Sequence, residues 1–167
     1  MSIKLISAVD KNYGIGYKND LLLRISEDMN RFRELTDGHF VVMGRKTFQS
    51  LPRALENRVN VVLTRNVEFP HSPDVFIMDS VEHIINHYNS GDQDKDIWVI
   101  GGSGVYQKFL PYADEVYLTH IDKEAEKVDT YFPKDELKEL FDVKDYSEWH
   151  YSEVEECKYC FVTYRHK

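Results

Sequence analysis

Hydrophobic positions along this chain alternate between short strand-like runs and helical stripes. The apolar runs are rich in Val, Ile and Leu and predict strands at 3–9, 39–43, 60–64, 75–78, 97–100 and 115–121. The stripes predict a helix between Ser26 and Gly38 and further helices at 45–51, 80–89 and 105–110. Residues 89–96 are predicted to form a solvated loop. From residue 141 onward, the pattern predicts two longer strands around a turn near 153–156.

Strands that alternate with helices, and that consist of nearly continuous apolar residues, are typical of a parallel sheet covered on both faces. We therefore predict an α/β fold with a mostly parallel sheet and an antiparallel hairpin of the two C-terminal strands at one edge. No repeat, low-complexity tract or linker interrupts the pattern, so we expect a single domain over residues 1–167.

One carboxylate of the first predicted helix lies on the apolar stripe. Asp28, Phe32 and Leu35 are spaced so that they share one helix face, Met29 is expected to widen this face, and Ser26 is the expected N-cap. A carboxylate against apolar walls is costly unless a cation or hydrogen-bond donor meets it. The pattern therefore indicates a site for a ligand with an amidine-like edge. The alternative is an ordinary acid in a first helical turn, where the helix dipole favours it.

A polar stripe runs beside this apolar face. It consists of Glu27, Arg31 and Glu34, and Glu27 can face water.

Composition and charge narrow the possible partners. The chain has 167 residues, 42% of them hydrophobic, and a net charge of -8, with 29 acids against 21 Lys and Arg. An acidic surface repels nucleic acid and anionic membranes, so we expect neither partner. No apolar run reaches the roughly 18 residues of a membrane span, and the N-terminus lacks the apolar region of a signal peptide, so a cytoplasmic location is expected. Neither Cys157 and Cys160 nor His83 and His87 match a metal-ligand pattern, so no metal is expected.

A glycine-rich turn follows the strand at 97–100. Gly101, Gly102, Ser103 and Gly104 lead directly into a helix, whose N-terminal N–H groups could meet a phosphate. The turn lacks the third glycine of the usual dinucleotide fingerprint and is not a P-loop. A simple tight turn is the alternative interpretation.

Basic residues follow two other predicted strands. Arg45, Lys46 and Thr47 come after one strand, and Thr64 and Arg65 come after the next. Ligands of open α/β sheets bind outside the carboxyl ends of the strands, so these clusters indicate an anion such as an additional ribose phosphate. Ordinary surface cations are the alternative.

Together these segments resemble dihydrofolate reductases of the bacterial single-chain type. The resemblance covers nearly the whole chain, and its motifs occur in the same order. They are 7–12 with 14–16, 28–36, 43–48, 55–58 with Asn60, 99–102, 117–121 and 129–133. The resemblance implies a three-layer α/β sandwich with a mostly parallel sheet of eight strands, an antiparallel C-terminal edge and about four helices. It also implies a monomer that reduces dihydrofolate with NADPH and binds antifolates.

The resemblance assigns the substrate site. Asp28 would be the catalytic carboxylate and pair with the 2-amino and N3 edge of the pterin, Thr119 would join it, and Arg58 would bind the glutamate α-carboxylate. The full substrate-binding set is Ile6, Ala8, Asp28, Phe32, Leu51, Arg53, Leu55, Arg58, Ile100 and Thr119.

The resemblance also assigns the NADPH site. Arg45, Thr64 and Arg65 would take the 2′-phosphate, and the family has a cis peptide between the two glycines. The full cofactor-binding set is Ala8, Ile15, Gly16, Gly44, Arg45, Lys46, Thr47, Leu63, Thr64, Arg65, Ile100, Gly101, Gly102, Ser103, Gly104, Val105, Tyr106 and Thr130.

This chain departs from the family in the segment that resembles its mobile lid, residues 10–24. Leu22 and Leu23 stand where the family has Pro and Trp, and Val128 stands where the family prefers Gly. We therefore expect altered lid dynamics and weaker binding of diaminopyrimidine inhibitors such as trimethoprim. Three alternatives remain open: a pyrimidine reductase of riboflavin synthesis on the same fold, a non-catalytic NADPH-binding module and a structural α/β domain.

Overall fold

The computed structural model describes residues 2–66, 68, 72–91 and 94–167, so residues 92 and 93 of the predicted 89–96 loop lie outside the described part. The strands are β1 (Ile3–Val9), β2 (Gly14–Tyr17), β3 (Asp20–Leu21), β4 (Phe40–Gly44), β5 (Val59–Leu63), β6 (Val75–Met78), β7 (Ile97–Gly101), β8 (Glu115–Ile121), β9 (Thr130–Tyr131), β10 (Phe141–Tyr146), β11 (His150–Ser152) and β12 (Cys157–His166). The helices are α1 (Ser26–Thr36), α2 (Arg45–Ser50), α3 (Val81–Asn89), α4 (Ser103–Phe109) and α5 (Lys134–Leu140), with a 3₁₀ turn at Leu110–Tyr112.

The main sheet has the strand order β10-β12-β8-β1-β7-β4-β5-β6, and β11 pairs with β12 beside this path. The strands from β8 to β6 are parallel to one another, whereas β12 runs antiparallel to both β8 and β10. The mostly parallel sheet of eight strands with an antiparallel C-terminal edge is therefore confirmed. A smaller sheet, β3-β2-β9, forms part of the lid.

Helices cover both faces of the sheet, because the central strands are buried on both sides. Val41, Val42, Val61, Val62 and Val99 are all fully buried. One face packs under α3, α4 and α5, and the other packs under α1 and α2. Among the described residues no helix is long and apolar enough to cross a membrane.

Details of the first helix differ from the predictions. Ser26 is the first helical residue rather than the cap, since Ile25 occupies the N-cap position without a side-chain cap bond. Met29 is 39% exposed, so the expectation that it widens the buried stripe was wrong. The helix does end before Gly38, whose φ of 76° lies in the region that glycine adopts most easily.

Helix α5, strands β2, β3 and β9, and the division of the first C-terminal strand into β10 and β11 were not predicted. Helix α5 was missed because it has a single fully buried residue, Leu137, in a sequence dominated by Lys, Asp and Glu. The lid contains strands β2 and β3, which are short and rich in the turn formers that favoured a loop.

A buried carboxylate, that of Asp10, holds the lid in place. Asp10 is 3% exposed and accepts hydrogen bonds from the backbone N–H groups of Asn12 (2.9 Å), Gly14 (2.8 Å) and Ala125 (3.1 Å). A Cβ atom at Gly14 would lie 2.8 Å from Val128, so the valine that departs from the family pattern fits against a position that only glycine fills. The lid is thus packed against the segment that precedes β9.

Candidate functional site

Asp28 lies on the sheet-facing side of α1, where the Thr119 hydroxyl donates a hydrogen bond to its carboxylate. Thr119 is 2% exposed and lies on β8 opposite Ala8 of β1. The side chain that the sequence placed on an apolar helix face therefore meets a buried hydroxyl on the sheet. Burial raises the pKa of Asp28, while the Thr119 hydrogen bond and the charge of Arg31 lower it and Glu27 raises it.

Apolar side chains gather in one cluster beside Asp28. Ile6, Phe32, Leu51, Leu55 and Ile100 all belong to this cluster, and each was predicted as a substrate contact. They come from β1, α1, β7 and the segment after α2. An apolar wall with one carboxylate at its edge is suited to a flat ring that carries N–H donors on one side.

Arg58 is held beside α1 by two hydrogen bonds. Its Nε donates to the Glu56 carbonyl at 2.8 Å, and its Nη1 donates to Thr36 Oγ1 at 3.1 Å. Its guanidinium carbon lies 6.0 Å from the centroid of the Phe32 ring. Burial lowers the pKa of Arg58, but an arginine stays charged at neutral pH. Within the described chain Nη2 has no hydrogen-bond partner, so it is available to a carboxylate.

Arg53 is not brought to this pocket. Its side chain is 79% exposed and pairs with Glu56 at 3.3 Å, which leaves it in solvent.

The glycine turn lies at the carboxyl edge of the sheet, where β7 ends between β1 and β4. The Gly101–Gly102 peptide is cis, as the resemblance implied, and Gly101 has a φ of 128°. A Cβ atom at Gly44, at the end of β4, would lie 3.1 Å from Val105 of α4. The backbone at the ends of both strands thus approaches the start of α4 closely. Because the glycines carry no side chains, a phosphate-bearing ligand could lie along the exposed peptide groups.

Cationic side chains follow the neighbouring strand ends. Arg45 directly follows Gly44, which is the register partner of Leu63, and Thr64 and Arg65 follow Leu63. Among the residues described, Arg45, Lys46 and Arg65 form no ion pair. In a chain of net charge -8, unpaired cations at adjacent strand ends fit a bound anion.

Of the predicted cofactor residues, two are buried in the core and one faces the glycine turn. Leu63 and Tyr106 are buried in the core, and the Tyr106 hydroxyl donates to the Ile6 carbonyl at 2.7 Å, so this ring supports the site from beneath. Thr47 faces the glycine turn, since its hydroxyl lies 3.6 Å from where a Cβ of Gly102 would be.

The lid reaches the same turn. Ile15 and Gly16 lie on β2, Thr130 on β9 pairs with Gly16, and the Ser103 hydroxyl donates to the Tyr131 carbonyl at 2.6 Å. The structure therefore brings the predicted lid residues and the start of α4 together. Gly104 adds no side chain there, and a Cβ at this position would meet open space.

The family model for dihydrofolate reductase matches residues 2–166. The chain belongs to the dihydrofolate reductase family. It is 40% identical over 134 residues to the dihydrofolate reductase of Haemophilus influenzae, which covers 80% of each chain. It is 38% identical over 133 residues to that of Staphylococcus haemolyticus, which covers 80% of this chain and 77% of the relative.

A solved structure gives the same result. The dihydrofolate reductase from Enterococcus faecalis complexed with NADP(H) and RAB-propyl superposes with a TM-score of 0.89. The sequences are 26% identical, and the alignment covers 99% of this chain and 96% of the other. The resemblance found in the sequence is thereby confirmed.

One supporting residue of this dihydrofolate reductase fold was quoted in a motif but given no role. Asn60 is 3% exposed and accepts from the Leu55 N–H at 3.0 Å. Its amide donates to the carbonyls of Leu55 at 2.9 Å and Arg58 at 3.2 Å. It therefore closes the loop that carries Arg58. The only local signal for this role was an Asn at the start of an apolar run that follows a polar turn.

The family's tryptophan position in the lid is filled differently here. Leu23 is half-buried and packs into a cluster with Ile25, Ile121 and Tyr159. The following residue, Arg24, donates its backbone N–H to the Glu155 carboxylate at 2.8 Å. The departing segment is therefore packed and tied to the turn before β12.

Proposed function

We propose that this chain catalyses the NADPH-dependent reduction of 7,8-dihydrofolate to 5,6,7,8-tetrahydrofolate. The observation that carries the proposal is the Asp28 carboxylate, which is bonded to Thr119 and flanked by an apolar wall, in a chain of the dihydrofolate reductase family. The product would serve as the carrier of one-carbon units for thymidylate and purine synthesis.

The residues present fit a bound NADPH. Bare backbone at Gly44 and at the glycine turn leaves a cradle that a Cβ would fill, and Arg45 and Arg65, which form no ion pair within the described residues, follow the adjacent ends of β4 and β5. When bound, NADPH supplies the hydride that reaches C6 of the pterin. Arg45, Thr64 and Arg65 would hold the 2′-phosphate, while Lys46, Thr47 and the N–H groups of the glycine turn would meet the remaining phosphates.

Asp28 would orient the substrate and favour protonation at N5. Its ionised carboxylate accepts hydrogen bonds from the 2-amino and N3 edge of the pterin, with Thr119 holding one oxygen in place. A negative charge at this edge stabilises positive charge on the ring, so N5 gains basicity. The proton itself would come from water. Phe32 and Ile100, in the apolar cluster beside Asp28, would exclude other water from the ring.

Arg58 would bind the far end of the substrate. Its Nε and Nη1 groups are already engaged by the Glu56 carbonyl and Thr36, which fixes the guanidinium plane. The remaining donors can take the glutamate α-carboxylate in a forked contact.

The decisive experiment follows the loss of NADPH absorbance when dihydrofolate is added at neutral pH, with NADH in a parallel cuvette. Rapid oxidation with NADPH and oxidation at least about tenfold slower with NADH are expected, because a charge-assisted contact to the 2′-phosphate is absent with NADH. NADPH binding without turnover would favour a non-catalytic module instead.

We further propose that the protein acts as a cytoplasmic monomer and that diaminopyrimidine antifolates such as trimethoprim bind at Asp28. The lid departures at Leu22 and Leu23 support weaker inhibition than in relatives that carry Pro and Trp there. An inhibition constant equal to that of such a relative, measured side by side, would contradict this expectation.

A further inference from the structure

Three side-chain contacts join α1 to the neighbouring strands β8 and β12. Thr119 of β8 donates to Asp28, and the Tyr159 hydroxyl of β12 donates to Glu27. Phe161 of β12 is the register partner of Thr119, and the guanidinium carbon of Arg31 lies 4.3 Å from the centroid of its ring. Asp28 is therefore flanked by an acid and a base that are each held by a side chain of β12.

Arg31 of the predicted polar stripe is only partly exposed to solvent. It is half-buried on the Phe161 ring, and its guanidinium carbon is 5.6 Å from the centroid of the Tyr117 ring. In the described part of the chain it forms no ion pair with a carboxylate. Aromatic faces stabilise such a cation without neutralising it, so its charge is available to act on a neighbour.

Asp28 is that neighbour. Residues three apart on a helix lie about 5–6 Å from each other at their Cβ atoms. Glu27 precedes Asp28 directly and carries the opposite charge to Arg31, and its exposed carboxylate accepts a hydrogen bond from the Tyr159 hydroxyl. The helix thus presents one attractive and one repulsive charge to the carboxylate, both outside the proposed pterin pocket.

We propose that Arg31, seated on Phe161, is a positioning residue that keeps Asp28 ionised, and that Glu27, held by Tyr159, acts in the opposite direction. The balance of these two charges would set the protonation of the substrate-binding carboxylate. The consequence for turnover rests on the proposed function, whereas the titration of Asp28 does not.

Other titratable groups near Asp28 do not compete with these two charges. Among the described residues, Tyr159 on β12 and Tyr106 on α4 also lie near Asp28, and Tyr117 on β8 adjoins Arg31. Burial raises the pKa of all three, that of Tyr159 to about 12, so they stay neutral over the range in which a carboxyl titrates. Glu27 and Arg31 are therefore the charges that remain to act on it.

The direct test is the titration of the Asp28 γ-carboxyl by NMR in the ligand-free protein labelled with ¹³C-aspartate, with Asp28→Asn used to assign its signal. Arg31→Met should raise the pKa of Asp28 by about one unit, the lower end of the shift that a nearby opposite charge produces. Arg31→Lys should retain most of the effect. Glu27→Gln should shift the pKa downward.

Arg33→Met is the matched control, because it removes the same charge from the same helix. Arg33 is exposed and bonded to Asn30, away from Phe161. Solvent screening should keep its effect on Asp28 below about 0.3 unit. Equal shifts for Arg31→Met and Arg33→Met would overturn the proposal, and so would equal shifts for Arg31→Met and Arg31→Lys, which would indicate packing rather than charge.

Two further readouts keep the test decisive. If Arg31→Met does not fold, Glu27→Gln still reports on the opposing charge, and an unchanged titration in that variant contradicts the proposal. The pH profile of kcat/KM should move with the NMR titration in each folded variant. A shifted titration with no dihydrofolate turnover in any variant would refute the proposed function and leave the charge balance established.

Discussion

The substrate half and the cofactor half of the cleft are built in different ways. In the substrate half, the charged groups already have partners, since Asp28 is bonded to Thr119 and Arg58 is bonded to Thr36 and to a carbonyl. In the cofactor half, the described chain leaves Arg45 and Arg65 without ion pairs beside bare glycine backbone. The polar side chains of the substrate half are therefore held in place before a ligand binds, whereas the cofactor half presents positive charge that can attract an anion.

This difference predicts two kinds of mutational effect. Partners that fix a side chain in advance contribute orientation, which appears in the rate. Unpaired cations contribute attraction to an anion, which appears in affinity and weakens with salt. Variants in the two halves should therefore separate into rate changes and salt-dependent binding changes.

Asp28→Asn should give the largest effect. The amide cannot stabilise positive charge on the pterin, so the NADPH-dependent rate at neutral pH should fall by about 10²-fold or more. The dissociation constant for NADPH, measured by fluorescence titration, should change by less than about twofold, because Asp28 lies in the other half. A rate reduction of less than about tenfold would remove Asp28 from the proposed role.

Arg58→Leu should raise the KM for dihydrofolate by about 10- to 100-fold, because a forked contact between charges is lost. A pterin substrate without the glutamate tail should show no such change. Arg53→Leu serves as the control, since Arg53 is 79% exposed and pairs only with Glu56 within the described residues. A comparable rise for both variants would show that the tail binds further out than the structure suggests.

Arg45→Gln and Arg65→Gln should each raise the dissociation constant for NADPH about tenfold and leave that for NADH almost unchanged. Each variant should also flatten the dependence of NADPH binding on ionic strength. Arg33→Gln, on an exposed helix face, should alter neither quantity. Equal losses of affinity for NADPH and NADH in the Arg45 and Arg65 variants would place the 2′-phosphate elsewhere.

The features that could be predicted from the sequence are those with a local pattern. Strands β4, β5 and β7 were evident because buried Val runs are a local signal. Asp28 was found for a similar reason, since a carboxylate within a helical stripe is visible in a few residues. The glycine turn and the basic strand ends were also local patterns, although their joint meaning came from their order along the chain.

The features that were missed depend on distant parts of the chain. Arg31 was placed in a polar stripe without a role, because Phe161, which packs against it, lies on the last strand. Strand β2 pairs with Thr130–Tyr131 of β9, far along the sequence, so its glycines suggested a loop. Asn60 became informative only when its hydrogen bonds to Leu55 and Arg58 were seen.

Asn60→Ala should have a smaller effect on the substrate half and act through stability. Three hydrogen bonds to buried or half-buried backbone groups are lost, so we expect the free energy of unfolding to drop by about 2 kcal/mol. The KM for dihydrofolate should rise with it, since the loop carrying Arg58 loosens. Asn30→Ala, on an exposed part of α1, should change the free energy of unfolding by less than about 0.5 kcal/mol. Urea titrations of both variants make the comparison.

The smallest expected effect tests whether the substrate half is fixed at a thermodynamic cost. Burial raises the pKa of Asp28 above its value in the unfolded chain, so between these two values the folded state binds more protons. Stability therefore falls as pH rises through this interval, and at neutral pH the protein carries the cost of a buried charge. Asp28→Asn removes that charge while its amide oxygen can still accept from Thr119. The variant should consequently melt at a higher Tm than the wild type at neutral pH, and the difference should shrink as pH falls toward the ordinary carboxyl range. A variant with a lower Tm at neutral pH would mean that Arg31 and Thr119 already offset the burial of the carboxylate.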